Sequence, residues 1–196
     1  TYDNLPIGST GQILTADTTV SPYKVKWATP AGGAAGLTKI ATGEFSTESS
    51  VAIDSVFSST YTRYMALIRV TGSSSGADLQ VQFRYAGPTS QTVNYYGSGF
   101  SQGRDNSQAN FGYVDGSGAV IFDNLQTVSS SATIFFDKVG NTSQNGILYG
   151  NGYQEYLQGL VCFAGYTDAQ RIYTGFRLLP TTGTISGSYV VYGLEK

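Results

Sequence analysis

Residues Tyr61–Gly87 read YTRYMALIRVTGSSSGADLQVQFRYAG, two extended runs joined by a Gly/Ser connection. In the second run Leu79, Val81, Phe83 and Tyr85 alternate with Asp78, Gln80, Gln82 and Arg84. A period of two places the apolar set on one face of a strand and the polar set on the other, in water. The first run, Tyr64 to Val70, is apolar on both parities, with Tyr64, Ala66 and Ile68 on one and Met65 and Leu67 on the other. That pattern predicts an inner strand covered on both faces. Gly72 to Gly76 is too long for a two-residue turn and suits a looser hairpin loop. A sheet centred here forms the first wall of a β-sandwich.

The remaining composition agrees with an all-β chain. Of 196 residues 40% are hydrophobic, enough for a packed core, and only 12% are charged. Charged residues ordinarily make up about a quarter of a soluble domain, so Ser, Thr, Asn, Gln, Gly and Tyr must cover the surface. Fifteen tyrosines and 25 glycines fit a turn-rich protein with a neutral, polar exterior. Further strands are expected around Lys39–Glu44, Val51–Phe57, Ala119–Phe122, Ala132–Asp137, Gly159–Tyr166, Arg171–Leu179 and Ser188–Leu194. No segment carries a sustained helical period. The expected fold of residues 37–196 is a two-sheet antiparallel β-sandwich, jelly-roll-like.

Residues 88–119 and 140–158 are poor in aliphatics and rich in Gly, Asn, Gln and Ser. Residues 88–119 read as a long excursion containing one or two short strands and 140–158 as a second loop, and long loops on rigid β-scaffolds are where binding surfaces concentrate. They carry Tyr95, Tyr96, Tyr113, Tyr149 and Tyr153, the candidate receptor-binding residues. Tyr supplies rigid contact area while Asn, Ser and Gly supply adaptable hydrogen bonds. The plainer role for the same rings is packing against the sandwich or a neighbouring subunit.

Residues 1–36 form a separate segment. Gln12–Thr15 and Tyr23–Trp27 read as two short strands, and the small-residue run Pro30–Gly36 reads as a linker. A two-stranded hairpin is marginal in water, so Leu5, Ile7, Ile13, Leu14, Val25 and Trp27 are expected to serve attachment or oligomerisation. A start at Thr1 fits a processed product or a fragment of a longer chain.

The segment Leu5-Pro-Ile-Gly-Ser-Thr-Gly-Gln-Ile-Leu-Thr15, followed by Val25-Lys-Trp-Ala-Thr-Pro30, resembles one found in tail-fibre and other virion structural proteins of tailed bacteriophages. The shared pattern is a glycine turn, G-Q-[VIL]-L-T, a variable loop, then V-x-W. It covers about 26 residues. The closing strands, Thr174–Leu179 and Gly183–Gly193, are similar to the ends of β-sandwich domains in such proteins. The resemblance implies a phage particle component on the virion surface, tail or capsid. It acts either as a tail-fibre head binding a host glycan or protein, or as a capsid decoration, spike or tail-assembly protein with no receptor role. The low charge and the unburied N-terminal segment point to surfaces completed by other copies, and the resemblance makes the expected assembly a homotrimer alongside other virion proteins.

The residue types narrow the chemistry. A net charge of −2 with no basic run argues against nucleic acid. No stretch reaches the roughly 20 apolar residues of a spanning helix, so no membrane insertion is expected. Without histidine, a Ser-His-Asp or Cys-His site is out of reach within the chain. A depolymerase would need two facing carboxylates, but the acidic residues are scattered, and Asp115 and Asp168 sit where Asx side chains cap turns. Metal ligation by a His or Cys cluster is ruled out by composition, and no D-x-D-x-D-G calcium loop is present. The expectation is a non-enzymatic protein without cofactor or metal. The single Cys162, inside Leu160–Ala164, is expected to be a buried structural thiol.

Overall fold

The computed structural model describes residues 7–19, 24–28, 36–72, 76–86, 89–140 and 145–194. Leu5, Tyr23, most of the 30–36 linker and residues 73–75 of the Gly/Ser connection lie outside them. The chain forms two compact units, Thr1–Ala35 and Gly36–Lys196.

In the first unit β1 (Ile13–Ala16) pairs antiparallel with β2 (Val25–Ala28), Leu14 opposite Trp27. The second unit contains β3 (Leu37–Glu48), β4 (Val51–Ile53), β5 (Arg63–Gly72), β6 (Ala77–Tyr85), β7 (Thr89–Ser90), β8 (Tyr95–Gln102), β9 (Gln108–Gly116), β10 (Ala119–Leu125), β11 (Ser130–Asp137), β12 (Ile147–Gln154), β13 (Gly159–Thr167), β14 (Tyr173–Pro180) and β15 (Ile185–Leu194). An eight-stranded sheet runs β3-β15-β5-β11-β12-β13-β8-β9. The smaller sheet runs β10-β6-β14-β4, with β7 added to β6. All pairings are antiparallel, and no helix occurs among the described residues. The molecule is an all-β sandwich.

The two runs of Tyr61–Gly87 do not pair with each other. β5 lies in the large sheet between β15 and β11, and β6 lies in the small sheet between β10 and β14. β5 and β6 therefore belong to different layers and form no hairpin. Both runs bury their apolar parity in the shared core: Tyr64, Ala66, Ile68 and Val70 from β5, and Leu79, Val81 and Phe83 from β6. Tyr85 is only partly buried at the end of that row. The rings of Phe136 and Phe176, one from each sheet, meet with centroids 4.7 Å apart.

The polar parity of β6 is not in water as its alternation suggested. Gln82 and Arg84 are both buried, and each is held by partners on the outer side of the small sheet. Arg84 donates from Nε and Nη2 to the two carboxylate oxygens of Asp54, at 2.5 and 3.0 Å, and from Nη1 to Ser90. Gln82 donates to the Ser117 carbonyl and accepts from Arg177 Nε, both at 2.6 Å. Burial, and next the nearby Arg84 charge, lower the Arg177 pKa.

The 88–119 excursion holds longer strands than the one or two short ones expected there, and the region read as a second loop contains the strand β12. β8 and β9 form an edge hairpin, and β12 is an inner strand between β11 and β13. Their glycines hid them, because Gly has low strand propensity. These glycines make room for neighbours instead. A Cβ on Gly97 would meet the Tyr113 hydroxyl at 2.3 Å, and one on Gly99 would meet the Phe111 ring at 2.2 Å. Each ring belongs to the residue directly opposite on β9, so aromatic side chains tile the inner surface that glycine leaves bare.

Candidate functional site

The G-x-x-G-Q-I-L-T … V-x-W pattern has a local physical explanation. The Trp27 ring lies over Gly8, where a Cβ would approach it to 2.5 Å. Gly11 has φ of +86°, a left-handed conformation that glycine adopts without penalty. Gln12 then locks the turn: its amide N–H donates to the Ser9 carbonyl, and its Oε1 accepts the Ser9 N–H at 2.8 Å. Across the hairpin, Asp17 pairs with Lys26 at 2.6 Å and accepts from the Thr19 amide and hydroxyl. Lys26 first, then Thr19, hold the Asp17 carboxyl well below the usual range. Trp27 and Val25 are half-buried, whereas Ile7, Ile13 and Leu14 are exposed. Leu5 lies outside the described residues.

The five singled-out tyrosines separate into two groups. Tyr95 is fully buried, and its hydroxyl accepts the Phe83 amide. Tyr113 faces inward over Gly97 and Gly165, with its hydroxyl buried. Both lie on the inward parity of the large sheet, which closes Tyr95 off from the surface and leaves Tyr113 partly exposed. Burial pushes both phenols far above their usual pKa. Tyr96, Tyr149 and Tyr153 alternate to the opposite, outer face of the same sheet. Tyr96 stacks on Tyr166 (centroids 5.4 Å, 23°), and Tyr149 stacks on Phe135 (5.5 Å, 21°). Cys162 also faces out and is only half-buried, because Val161 and Phe163 take the inward positions of β13. A shallow concavity of about 490 Å³ opens on this face, lined by Leu67, Thr133, Asn151, Tyr153, Leu160 and Val190 among others.

A second concavity lies at one end of the sandwich, where the β8–β9 and β12–β13 turns meet. It holds about 700 Å³ between Arg104, Asp105, Ser107, Tyr156, Leu157 and Gln158. Arg104 ties the two turns together, donating from its amide to the Leu157 carbonyl and from Nη1 to Gln158 Oε1 at 2.8 Å. Asp105 accepts from the Ser107 amide, and the Ser107 bonds lower its pKa. Tyr156 stands 56% exposed beside them. The site presents a guanidinium, a carboxylate, a hydroxyl, an amide and one exposed ring. Its sequence signal is the pair of short polar turns, Gly103–Ser107 and Glu155–Gln158, flanked by strands of Gly and Tyr.

Compared with protein-family models, curated proteins and solved structures, the chain matches none. Among the described residues no group of three or more His, Cys, Asp or Glu could hold a metal ion. Asp78 and Asp123, acidic residues near one another on β6 and β10, form at most a pair. The Asp123 pKa is raised chiefly by burial.

Proposed function

We propose that this chain is a non-enzymatic structural protein of a tailed-phage particle, serving as the head of a surface appendage that recognises the host. The observation that carries this reading is the form of the first unit. Gly8, Gly11, Gln12 and Trp27, the residues shared with phage fibre segments, build a self-contained hairpin motif ahead of a large sandwich. That division suits an attachment element joined to a head. The recognition surface in this reading is the loop-tip pocket around Arg104 and Tyr156, not the wider set of tyrosines, since Tyr95 is internal and Tyr113 faces inward and is partly buried. A mix of one exposed ring with hydroxyl, amide and charged groups suits a host saccharide or a polar protein epitope.

The test is binding of the fluorescently labelled full chain to host cells, with and without Tyr156→Ala and Arg104→Ala. The reading expects saturable binding and a loss of about tenfold or more in each variant, which corresponds to about 1.4 kcal/mol. Saturable binding that both variants retain would move the site elsewhere. No binding by the intact chain would favour the architectural alternative, a capsid decoration or tail-assembly component. The exposed Ile7, Ile13 and Leu14 favour that alternative too, as apolar residues placed to dock on another virion protein.

A further inference from the structure

The outer face of the smaller sheet brings together two arginines and one carboxylate. Arg84 on β6 and Arg177 on β14 both alternate outward, because Phe83 and Phe176 take the inward positions beside them. Arg177 stands directly opposite Gln82, which makes Arg84 its diagonal neighbour on the adjacent strand. Diagonal neighbours in a sheet remain within reach of long side chains. Asp54 gives both of its oxygens to Arg84, which also donates to Ser90 and is only 6% exposed. One cation is thus neutralised and enclosed. The other has no carboxylate.

Arg177 donates from Nε to Gln82 Oε1 at 2.6 Å. Gln82 is itself fixed, buried with its Nε2 on the Ser117 carbonyl. One edge of the guanidinium is therefore anchored. Nη1 and Nη2 have no hydrogen-bond or ion-pair partner among the described residues, and neither is sealed from solvent. On the other side, the residue opposite Arg177 on β4 is Ala52, exposed and uncharged. Gln80, one row along β6, accepts from Ser117 Oγ and leaves its own Nε2 without a partner. The surroundings thus offer donors and lack an anionic acceptor.

A guanidinium drawn out of water and set beside a second one calls for a counter-charge. Burial, and then the Arg84 charge, act against the charged form of Arg177, yet a guanidinium keeps its proton at any ordinary pH. An anion relieves both effects. We propose that Arg177 anchors an oxyanion site, binding one carboxylate or phosphate group through the paired N–H groups of Nη1 and Nη2. Two parallel charge-assisted bonds of this kind are the strongest that a guanidinium makes. Asp54 does not compete, since both of its oxygens are engaged by Arg84. The small Ala52 side chain places neither bulk nor charge on the β4 side. The site lies on the smaller sheet, away from the loop-tip pocket, and does not rest on the host-recognition reading.

The experiment follows the Arg177 Nε–H signal by NMR in the isotope-labelled full chain. Acetate, inorganic phosphate and chloride are added in separate titrations at matched ionic strength. Thermal melts are recorded beside them for the intact chain, Arg177→Gln and Ala52→Glu. The signal is expected to shift to saturation with acetate or phosphate and not with chloride, and the melting midpoint to rise by about 2–4 °C at saturation. The acetate and phosphate arms show which oxyanion the fork prefers. Arg177→Gln should lose the saturable rise. Ala52→Glu sets a carboxylate opposite Arg177 within the chain, so it should melt higher without added anion and respond at least fivefold less. Should Arg177→Gln misfold, the NMR titrations of the intact chain and of Ala52→Glu decide. A shift that never saturates, or that chloride matches, would overturn the proposal. So would a saturable rise that folded Arg177→Gln retains, since the anion would then bind elsewhere.

Discussion

The hydroxyl of Tyr95 in the large sheet accepts the backbone N–H of Phe83 in the small sheet at 2.6 Å, a hydrogen bond that crosses the core. Phe83 falls in the gap between two ladders: β10 pairs with β6 only as far as Val81, and β7 begins at Arg84. Its amide on that side would otherwise be buried without an acceptor, and Tyr95 fills the gap. The same two rings stack with an interplanar angle of 6°.

Tyr95→Phe should therefore destabilise the sandwich by about 1–3 kcal/mol, the cost of leaving a buried donor unpaired. Ring packing is retained, so urea unfolding should show a lower midpoint with an unchanged slope. An unaltered midpoint would mean that the Phe83 amide finds another acceptor.

Gly150 on β12 should tolerate no side chain. A Cβ there would lie 2.0 Å from the Thr133 carbonyl oxygen and 2.9 Å from the Phe163 ring. The first neighbour is backbone of the adjacent strand and cannot rotate away. Gly150→Ala is expected to cost about 1–3 kcal/mol through overpacking, whereas an alanine at Gly112, with its nearest neighbour at 3.7 Å, should be nearly neutral. Thermal melts of the two variants side by side check the contrast.

Alkaline pH should unfold this protein through its buried phenols. Burial pushes Tyr173 up to about 12 from an ordinary 10.0 and drives Tyr95 and Tyr113 higher still. A raised phenol pKa means that the folded state favours the neutral form. The stability this confers is complete below pH 10 and is lost as pH rises through the folded-state values. Ultraviolet titration should show exposed tyrosines ionising first and an internal class ionising only with loss of β-structure. Replacing Tyr173 by Phe should shrink that internal class.

Removing the carboxylate of Asp54 should strand a cation. Arg84 is only 6% exposed, and Asp54 takes two of its hydrogen bonds. Asp54→Ala is expected to cost about 1–3 kcal/mol, less than for a fully buried pair because Asp54 itself is partly solvated. The double variant Asp54→Ala, Arg84→Met should recover part of the loss, since an apolar side chain leaves no charge unpaired. A double-mutant cycle measured by denaturant unfolding checks it.

The alternation of Leu79, Val81 and Phe83 was sufficient to read the all-β class and the inward face of β6. The partner of β6 was not legible, because a five-residue Gly/Ser connection serves a hairpin or a crossing between layers equally well. Nor was the burial of Gln82 and Arg84, which depends on Asp54, Ser117 and Arg177 arriving from distant parts of the chain. The full length of β8 and the existence of β12 are not legible in the sequence, because Gly97, Gly99, Gly150 and Gly152 lower strand propensity. What compensates them is cross-strand packing by Phe111, Tyr113 and Phe163, invisible in a linear reading. For the same reason Tyr95 reads as a surface residue in the sequence and is buried in the fold. The N-terminal pattern was the most legible part, since its glycines and Gln12 act within a single turn.

The central claim is that the chain belongs to a phage particle and is joined to it by the hairpin around Trp27. Immunogold electron microscopy of purified particles, using an antibody against residues 37–196, measures it most directly. The account predicts label on a surface appendage, and loss of that label for Gly8→Val, which displaces the Trp27 ring, while the isolated variant keeps the circular dichroism of its sandwich. Particles without label, or undiminished labelling of the Gly8→Val virions, would contradict it.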